Sequence, residues 1–286
     1  MKKYIFFVLI STTVYSQDIQ KNQKLDTLSN IFNLEEVTVN ALRATDNTPV
    51  PFINITKKDL EKTNLAQDIP TLLKNLPSVV TTSDSGSGIG YSSIMIRGSD
   101  QTRVNVTING VPYNDSESYM SYWVDLPDFA SSIESIQVQR GVGTSTNGPA
   151  AFGGSINILT NAASEKPSFE INNTLGSFNT VKNSVGFSTG FINDKFEFSG
   201  RLSRIKSGGY IDRSGSKLRS YFLQGIYKDE NTLLKILNFA GHEITDQAWF
   251  GIDSSTLETN RKYNPAGEYY DKMGNTLYYN NQDDNY

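Results

Sequence analysis

Acidic side chains offer the most direct chemistry in this sequence. Asp115 with Glu117, and Asp125 with Asp128, stand close enough along the chain to form carboxylate pairs. Such pairs can act as acid and base in glycoside hydrolysis, or can bind a cation. Their surroundings specify neither role, so we expect no enzyme activity and no metal site.

Cysteine and histidine usage narrows the possible functions further. The chain has no cysteine and one histidine, His242, which excludes thiol catalysis, cysteine-ligated metals and histidine-rich metal sites. We expect His242 to be an ordinary strand residue. With 26 Lys and Arg against 30 Asp and Glu, the sequence offers no basic face for nucleic acid.

A glycine-rich segment, residues 141–154, is the other feature that could suggest a binding site. A phosphate-binding loop needs a Lys followed by Ser or Thr at the start of a helix, whereas this segment runs into a strand pattern. Its glycines therefore indicate a tight backbone path and not a nucleotide site. They are Gly141, Gly143, Gly148, Gly153 and Gly154.

Alternating patterns on either side of this segment predict two strands. Residues 136–139 (IQVQ) and 156–159 (INIL) place apolar side chains at every second position. That period is typical of strands with one buried face.

Several motifs together resemble the plug domain of TonB-dependent outer-membrane receptors. Residues 134–141 (ESIQVQRG) and 151–158 (AFGGSINI) are similar to the end of that domain. Residues 94–98 (IMIRG) and 106–112 (VTINGVP) resemble two earlier plug segments, in the expected order. The resemblance covers roughly residues 34–160 and implies an α+β plug domain followed by the first antiparallel strands of a transmembrane β-barrel.

The chain divides into five segments on this interpretation. Residues 1–16 read as a secretory signal, because Lys2 and Lys3 precede a short apolar core and a plausible cleavage site. Residues 17–33 are a flexible linker, residues 34–40 a TonB box, residues 41–162 the plug domain, and residues 163–286 an incomplete barrel of about five strands. We expect export to the outer membrane, and a chain that is the front part of a receptor.

The TonB box is the predicted contact with the TonB protein and its inner-membrane energising complex. By resemblance it comprises Leu34, Glu35, Glu36, Val37, Thr38 and Val39. An exposed extended segment can pair with the edge of a partner's sheet through its main chain. The alternative is that these residues form a first edge strand of the domain.

The plug is predicted to contain about four strands and at least two helices. Thr56 reads as the N-cap of one helix, and a second helix is expected over residues 66–75, ended by Pro77. Asn109 and Gly110 predict a hairpin turn, and Pro112 limits the following strand to a short edge piece.

Residues 167–241 predict the barrel strands. Segments of about ten residues alternate apolar and polar side chains, with short turns near residues 193–194 and 228–230 and longer connections at 207–216 and after 244. This pattern is typical of a transmembrane β-barrel. A soluble β-sandwich shares the alternation.

Two groups of site residues follow from the resemblance. Arg97, Glu134 and Arg140 match a charged cluster at the boundary between plug and barrel, although they could instead be solvated surface charges. Two loops, residues 83–93 and 113–123, are expected to face the ligand or to pack on the barrel wall. Their candidate ligand-facing residues are Tyr91, Tyr113, Asn114, Tyr119, Tyr122 and Trp123.

The resemblance implies active uptake of a scarce small molecule, with an iron–siderophore complex as the first expectation and no cofactor. Vitamin B12, haem and oligosaccharides remain alternatives. A secreted or surface-exposed binding module without transport activity is the alternative from another class.

Overall fold

The computed structural model describes residues 43–143, 151–279 and 282–285. The predicted signal sequence, linker and TonB box lie outside these ranges. The described part contains an α/β domain, a large antiparallel sheet and a small extra hairpin.

The α/β domain is built on a five-stranded sheet and a separate two-stranded hairpin. The sheet has the order β1-β6-β7-β4-β5, with β4 parallel to β7 and the other neighbours antiparallel. The hairpin pairs β2 with β3. Seven strands thus replace the predicted four, because short edge pieces give weak periodic signals. Their bounds are Phe52–Thr56 (β1), Val79–Ser83 (β2), Ser92–Ile96 (β3), Val104–Ile108 (β4), Val111–Pro112 (β5), Ile133–Arg140 (β6) and Gly154–Thr160 (β7).

Two helices belong to this domain, and the second is shorter than predicted. Helix α1 spans Lys57–Thr63, and Thr56 is its N-cap, as predicted. Thr56 and Asp59 form a capping box. Helix α2 spans only Ile69–Leu73. It cannot begin at Ala66, because that residue has a φ of 124°, far from the helical region.

The hairpin turn between β4 and β5 is confirmed. Asn109 and Gly110 have φ angles of 49° and 82°, and Ile108 pairs directly with Val111. Positive φ at both central residues is the geometry that favours an Asn-Gly pair.

Strand β6 departs from the expectation of one buried face. Ile136 and Val138 are buried, but so are Gln137 and Gln139. The Gln137 side chain accepts from the Ala44 backbone N–H at 2.7 Å and donates to the Ala44 carbonyl at 2.9 Å. Polar side chains can be buried on the second face because they are hydrogen-bonded there.

The large antiparallel sheet follows the α/β domain and confirms the predicted strands. Its order is β15-β12-β11-β10-β9-β8, and the pairing of β10 with β11 runs without a break from Phe196↔Tyr227 to Ser207↔Ser216. The bounds are Ser168–Gly176 (β8), Thr180–Ser188 (β9), Phe196–Ser207 (β10), Ser216–Lys228 (β11), Leu233–Asp246 (β12) and Gln282–Asn285 (β15).

The connections of this sheet are short at one end and include a long one at the other. Residues 189–195 and 229–232 are the turns at the first end. At the second end, β8 joins β9 by a tight turn, residues 208–215 form a loop, and a longer loop begins at residue 247. The longer loop carries helix α3 (Ser254–Thr259) and a hairpin of β13 (Glu268–Tyr270) with β14 (Thr276–Tyr278).

The two faces of the large sheet differ in chemistry. Alternate residues of β10 and β11 are buried against the α/β domain, including Arg201, Ile205, Leu218 and Phe222. The opposite, outward face exposes large apolar side chains: Phe169, Ile171, Leu175, Val185, Phe187, Phe196, Phe198, Leu202, Tyr221, Leu223, Leu234 and Ile236. None of the helices in the described ranges has the length and hydropathy needed to cross a membrane.

Candidate functional site

The α/β domain packs against the inner face of the large sheet through an aromatic cluster. Phe129 of the domain lies 5.9 Å from Phe222 of β11 and 5.1 Å from Phe239 of β12, measured between ring centroids. Aromatic contacts at these distances stabilise the packing beyond what the burial of apolar surface contributes.

A buried group of three charges lies beside this cluster. Asp128 of the domain forms ion pairs with Lys182 of β9 and, at 3.0 Å, with Arg201 of β10. The Asp128 side chain is fully buried, and the two cations are 3% and 7% exposed. We call Asp128, Lys182 and Arg201 the buried ion triad.

Further hydrogen bonds satisfy the members of the triad. Ser131 donates to Asp128 at 2.6 Å, and the Arg201 Nε donates to Ser132 at 2.8 Å. Burial by itself would raise the pKa of the Asp128 carboxyl, but the charges of Arg201 and Lys182 outweigh burial and hold that pKa below its usual value. The carboxylate is therefore ionised at neutral pH.

Backbones approach closely next to the triad. A Cβ atom added at Gly241 of β12 would lie 2.6 Å from the Asp125 carbonyl oxygen and 2.7 Å from a Pro127 side-chain carbon. Ser220 of β11 donates to the Pro127 carbonyl at 2.7 Å. Residues 125–132 are thus fixed to the sheet by apolar, ionic and backbone contacts together.

A second set of contacts lies toward the end with the long loops. The backbone N–H groups of Tyr210 and Ile211 both donate to the Ser85 carbonyl, at 2.7 and 3.1 Å. Tyr91 donates to Glu243 of β12 at 3.0 Å. The domain loop of residues 84–91 therefore lies at the same end as residues 208–215.

Asp68 is a buried carboxyl group near this second set. It is 7% exposed and accepts a hydrogen bond from Ser92 at 3.0 Å. Burial raises its pKa well above the usual value; the Ser92 bond opposes this, and the charge of nearby Glu243 reinforces it. Because folding raises this pKa, the stabilising contribution of Asp68 is complete below about pH 3.8 and is lost as the pH rises.

We expect the substitution Asp68→Asn to stabilise the protein at pH 8 by about 1–3 kcal/mol, and to have less effect at pH 5. Asparagine keeps the acceptor for Ser92 but has no charge to bury. Thermal unfolding of the protein at both pH values measures this, with the exposed Asp46→Asn as control. An equal change in unfolding midpoint at both pH values would contradict the assignment.

A cavity of about 760 Å³ lies between the domain and strands β8 to β10. Its lining includes Glu61 and Asn64 of the domain, and Lys182 and Glu197 of the sheet. Glu197 is fully buried and accepts from Ser188 at 2.7 Å. The cavity is polar, as a water-filled space between the two parts would be.

Two residues of the predicted charged cluster lie on β6, and the third lies beside the end of that strand. Arg97 is exposed, and its guanidinium lies beside Gly141, whereas Glu134 and Arg140 are half-buried on β6. Within the described ranges, none of the three forms an ion pair. Their role at the boundary with a barrel stays a prediction.

The predicted ligand-facing aromatic residues fall into two groups. Trp123 is 2% exposed within the hydrophobic core, which is a packing role. Tyr113 packs against the same core, where burial raises the pKa of its phenol. Tyr119 and Tyr122 are 53% and 39% exposed and are accessible to a ligand.

The remaining two predicted residues have structural contacts. Tyr91 bonds to Glu243, as described above. Asn114 accepts from the Val106 N–H at 2.7 Å and donates to the Val104 carbonyl at 2.9 Å, so its amide holds the loop against β4.

Sequence analysis missed the buried ion triad. In the sequence Asp128 stands out only beside Asp125, and Lys182 and Arg201 fall among the polar positions of the alternating segments. One signal was present, because both cations stand at inward positions of strands whose outward positions are apolar. Their common carboxylate partner could not be found without the packing of the domain.

Comparison with known proteins identifies the α/β domain. The family described as TonB-dependent Receptor Plug Domain matches residues 44–155, a range that includes β1 to β6 and the first two residues of β7. The chain carries a TonB-dependent receptor plug domain. The large sheet is the start of the receptor barrel, and the described strands leave that barrel open.

Curated relatives extend over the plug and the first strands. The vitamin B12 transporter BtuB of Vibrio cholerae is 26% identical over 224 residues, which are 78% of this chain and 34% of the relative. The probable siderophore receptor PirA of Acinetobacter baumannii is 34% identical over 116 residues, or 37% of this chain and 15% of the relative. The chain thus spans about a third of the length of the B12 transporter.

Solved structures show the same fold. The unliganded ferric citrate transporter FecA superposes with a TM-score of 0.62 at 20% identity, over 75% of this chain and 34% of that one. The copper transporter OprC superposes with a TM-score of 0.58 at 18% identity, over 72% and 33%. These proteins share the arrangement of a plug followed by antiparallel strands.

Proposed function

We propose that this chain is part of an outer-membrane receptor that imports a scarce ligand with energy delivered by TonB. One observation carries the proposal: the plug is held by the buried ion triad on the inner face of strands whose outer face is apolar. A secreted binding module would have no reason to expose that apolar face to water. Fractionation tests the location, because the receptor would require detergent for extraction.

An iron–siderophore complex is the ligand class that we propose first. The 34% identical relative is a probable siderophore receptor, and the ferric enterobactin receptor of Pseudomonas aeruginosa is 26% identical over 168 residues. The longest of these matches, however, is the B12 transporter. Uptake of radiolabelled ferric siderophores and of cobalamin should therefore be compared in cells with and without the gene.

The exposed aromatic side chains at the loop end are suited to receive such a ligand. Trp249 and Phe250 are 64% and 52% exposed with ring centroids 5.1 Å apart. On the plug, Tyr119 and Tyr122 offer comparable surfaces. Rigid rings with polar tips give contact area at low entropic cost.

The TonB box is tested by the substitution Val37→Pro. Proline removes a backbone N–H from the segment that pairs with TonB, so we expect energised uptake to fall at least about tenfold. Ligand binding to the receptor surface without energy should be unchanged. Val37→Thr, which keeps the backbone N–H, is the matched control. Normal energised uptake by the V37P receptor would refute the assignment of residues 34–39.

A further inference from the structure

Four exposed basic side chains form a compact group on the outward face of the barrel strands. Strand β10 contributes Arg204 and Lys206, and strand β11 contributes Lys217 and Arg219. All four are exposed. We call these residues the basic patch.

The strand register brings like charges face to face. Arg204 is directly opposite Arg219, and Lys206 is directly opposite Lys217. Directly opposite residues in an antiparallel pair have Cβ atoms about 5 Å apart, and the two pairs are about 7 Å apart along the strands. Like charges in this arrangement repel each other.

None of the residues directly opposite the patch on β9 and β12 is acidic. The neighbours on β9 are Asn183, opposite Arg204, and Val181, opposite Lys206. On β12, His242 is opposite Arg219, and Ile244 is opposite Lys217. Over the described residues, the four cations form no ion pair within 4.0 Å.

The carboxylate at the end of β12, next to the patch, accepts a hydrogen bond from a backbone group. Asp246 ends β12 one step closer to the loops, and its Oδ2 accepts a hydrogen bond from the Gly215 N–H at 3.2 Å. The patch therefore keeps its positive charge and its donors available for an external anion.

The position of the patch along the strands indicates at which level of a membrane an anion would bind to it. On β10 the outward side chains Phe196, Phe198 and Leu202 come first, covering about 20 Å of strand, and the patch follows directly. The first end of this apolar band carries the Phe196–Tyr227 ring pair, with centroids 5.0 Å apart. Cations are costly in the middle of a bilayer and tolerated at its interface.

The patch lies at the interface on the side of the long loops. Its strands lead into the 208–215 loop, while the short turns 189–195 and 229–232 are at the opposite end. In barrels of this class short turns face the periplasm and long loops face outward. The patch is therefore level with the headgroups of the outer leaflet.

We propose that the basic patch binds the phosphate groups of a phosphorylated glycolipid in the outer leaflet of the outer membrane. This inference rests on the proposed function, because it requires insertion of the strands in that membrane. Two arginines can each form a forked pair of hydrogen bonds to a phosphate, and two lysines add point charges. The bound anion removes the repulsion between the opposed pairs.

The test uses the receptor extracted in detergent and depleted of lipid. Phosphorylated lipid A and the same lipid A without its phosphates are added, and bound lipid is quantified by mass spectrometry. We expect the double variant Arg204→Gln/Arg219→Gln to bind phosphorylated lipid A about 30-fold more weakly than wild type. The lipid without phosphates should bind no better to wild type than to this variant.

The matched control removes two charges from the other rim. Lys195→Gln/Lys228→Gln makes the same change in net charge near the short turns and should leave lipid A binding unchanged. Equal binding by the R204Q/R219Q variant, or by lipid A without phosphates, would overturn the proposal. So would equal binding of phosphatidylglycerol or inorganic phosphate, since the site would then not select the glycolipid.

Fractionation and uptake separate this inference from the proposed function. If wild type is found in the outer membrane and imports its ligand but does not retain lipid A, only the lipid proposal fails. If wild type is absent from the outer membrane, the proposed function fails, and the lipid proposal fails with it.

Discussion

The substitution Asp128→Asn is expected to lower the stability of plug docking by about 3–5 kcal/mol. It leaves the charges of Lys182 and Arg201 buried between plug and barrel without their common carboxylate. Asparagine is chosen because Asp128 has a φ of 54°, a left-handed conformation that Asn tolerates. The backbone is thus kept, and the charge alone is removed.

Hydrogen exchange of residues 125–133 measures the docking of the plug directly. We expect these amides to lose protection in the D128N protein, while the pairing of β10 with β11 stays protected. An exposed ion pair serves as control, because Asp229 lies 3.8 Å from Lys195. Asp229→Asn should change the hydrogen-exchange protection of residues 125–133 little, because solvent screens exposed ion pairs.

A rescue variant distinguishes loss of charge compensation from loss of shape. Adding Lys182→Met and Arg201→Met to Asp128→Asn removes both buried cations and should recover most of the lost protection, since apolar replacement of a buried ion group is often neutral. If the triple variant is as unprotected as D128N, the uncompensated charges of Lys182 and Arg201 are not the cause of the lost protection.

The pH dependence of stability has the opposite sign for Asp128 and Asp68. The pKa of Asp128 is held below its usual value by Arg201 and Lys182, so its contribution is complete above about pH 3.8 and is lost as the pH falls through the lowered pKa. The pKa of Asp68 is raised, so its contribution is lost as the pH rises. Together the two carboxyl groups therefore favour the folded protein most in the pH range where Asp128 is ionised and Asp68 is still protonated.

The fold predictions that the structure confirms rest on local sequence patterns. The Thr56 capping box, the Asn109–Gly110 turn and the alternation in β8 to β12 each depend on residues a few positions apart. The strand pattern also identified the outward face, because outward-facing and inward-facing residues differ in polarity. The motif resemblance placed the plug, and the match to residues 44–155 confirms it.

The predictions that failed depend on residues far apart in the chain. Gln137 and Gln139 look solvent-facing in sequence, but Ala44 covers and bonds Gln137 from 93 positions away. Asp128 meets Lys182 across 54 positions and Arg201 across 73. Nothing in the local sequence indicates such a partner. The interface that holds the plug is therefore seen only in the packed structure.

The substitution Gly241→Ala is expected to destabilise plug docking by about 1–3 kcal/mol, as overpacking of a filled interface does. The added Cβ would lie 2.6 Å from the Asp125 carbonyl oxygen, and backbone against backbone has no flexible side chain to move aside. The change adds one methyl group and alters no charge, so its effect reports on shape alone.

Gly225→Ala is the matched control for this substitution. Gly225 stands on the neighbouring strand β11, but its added Cβ would meet only the Phe198 ring, at an ordinary contact distance of 3.6 Å. Limited proteolysis within residues 125–133 should therefore speed up in the G241A protein and stay unchanged in the G225A protein. Because the G241A effect is steric and the D128N effect ionic, only D128N should be corrected by the lysine and arginine replacements. Rescue of G241A by those same replacements would show that the two contacts are not independent, and that the plug is held by a looser interface than these distances describe.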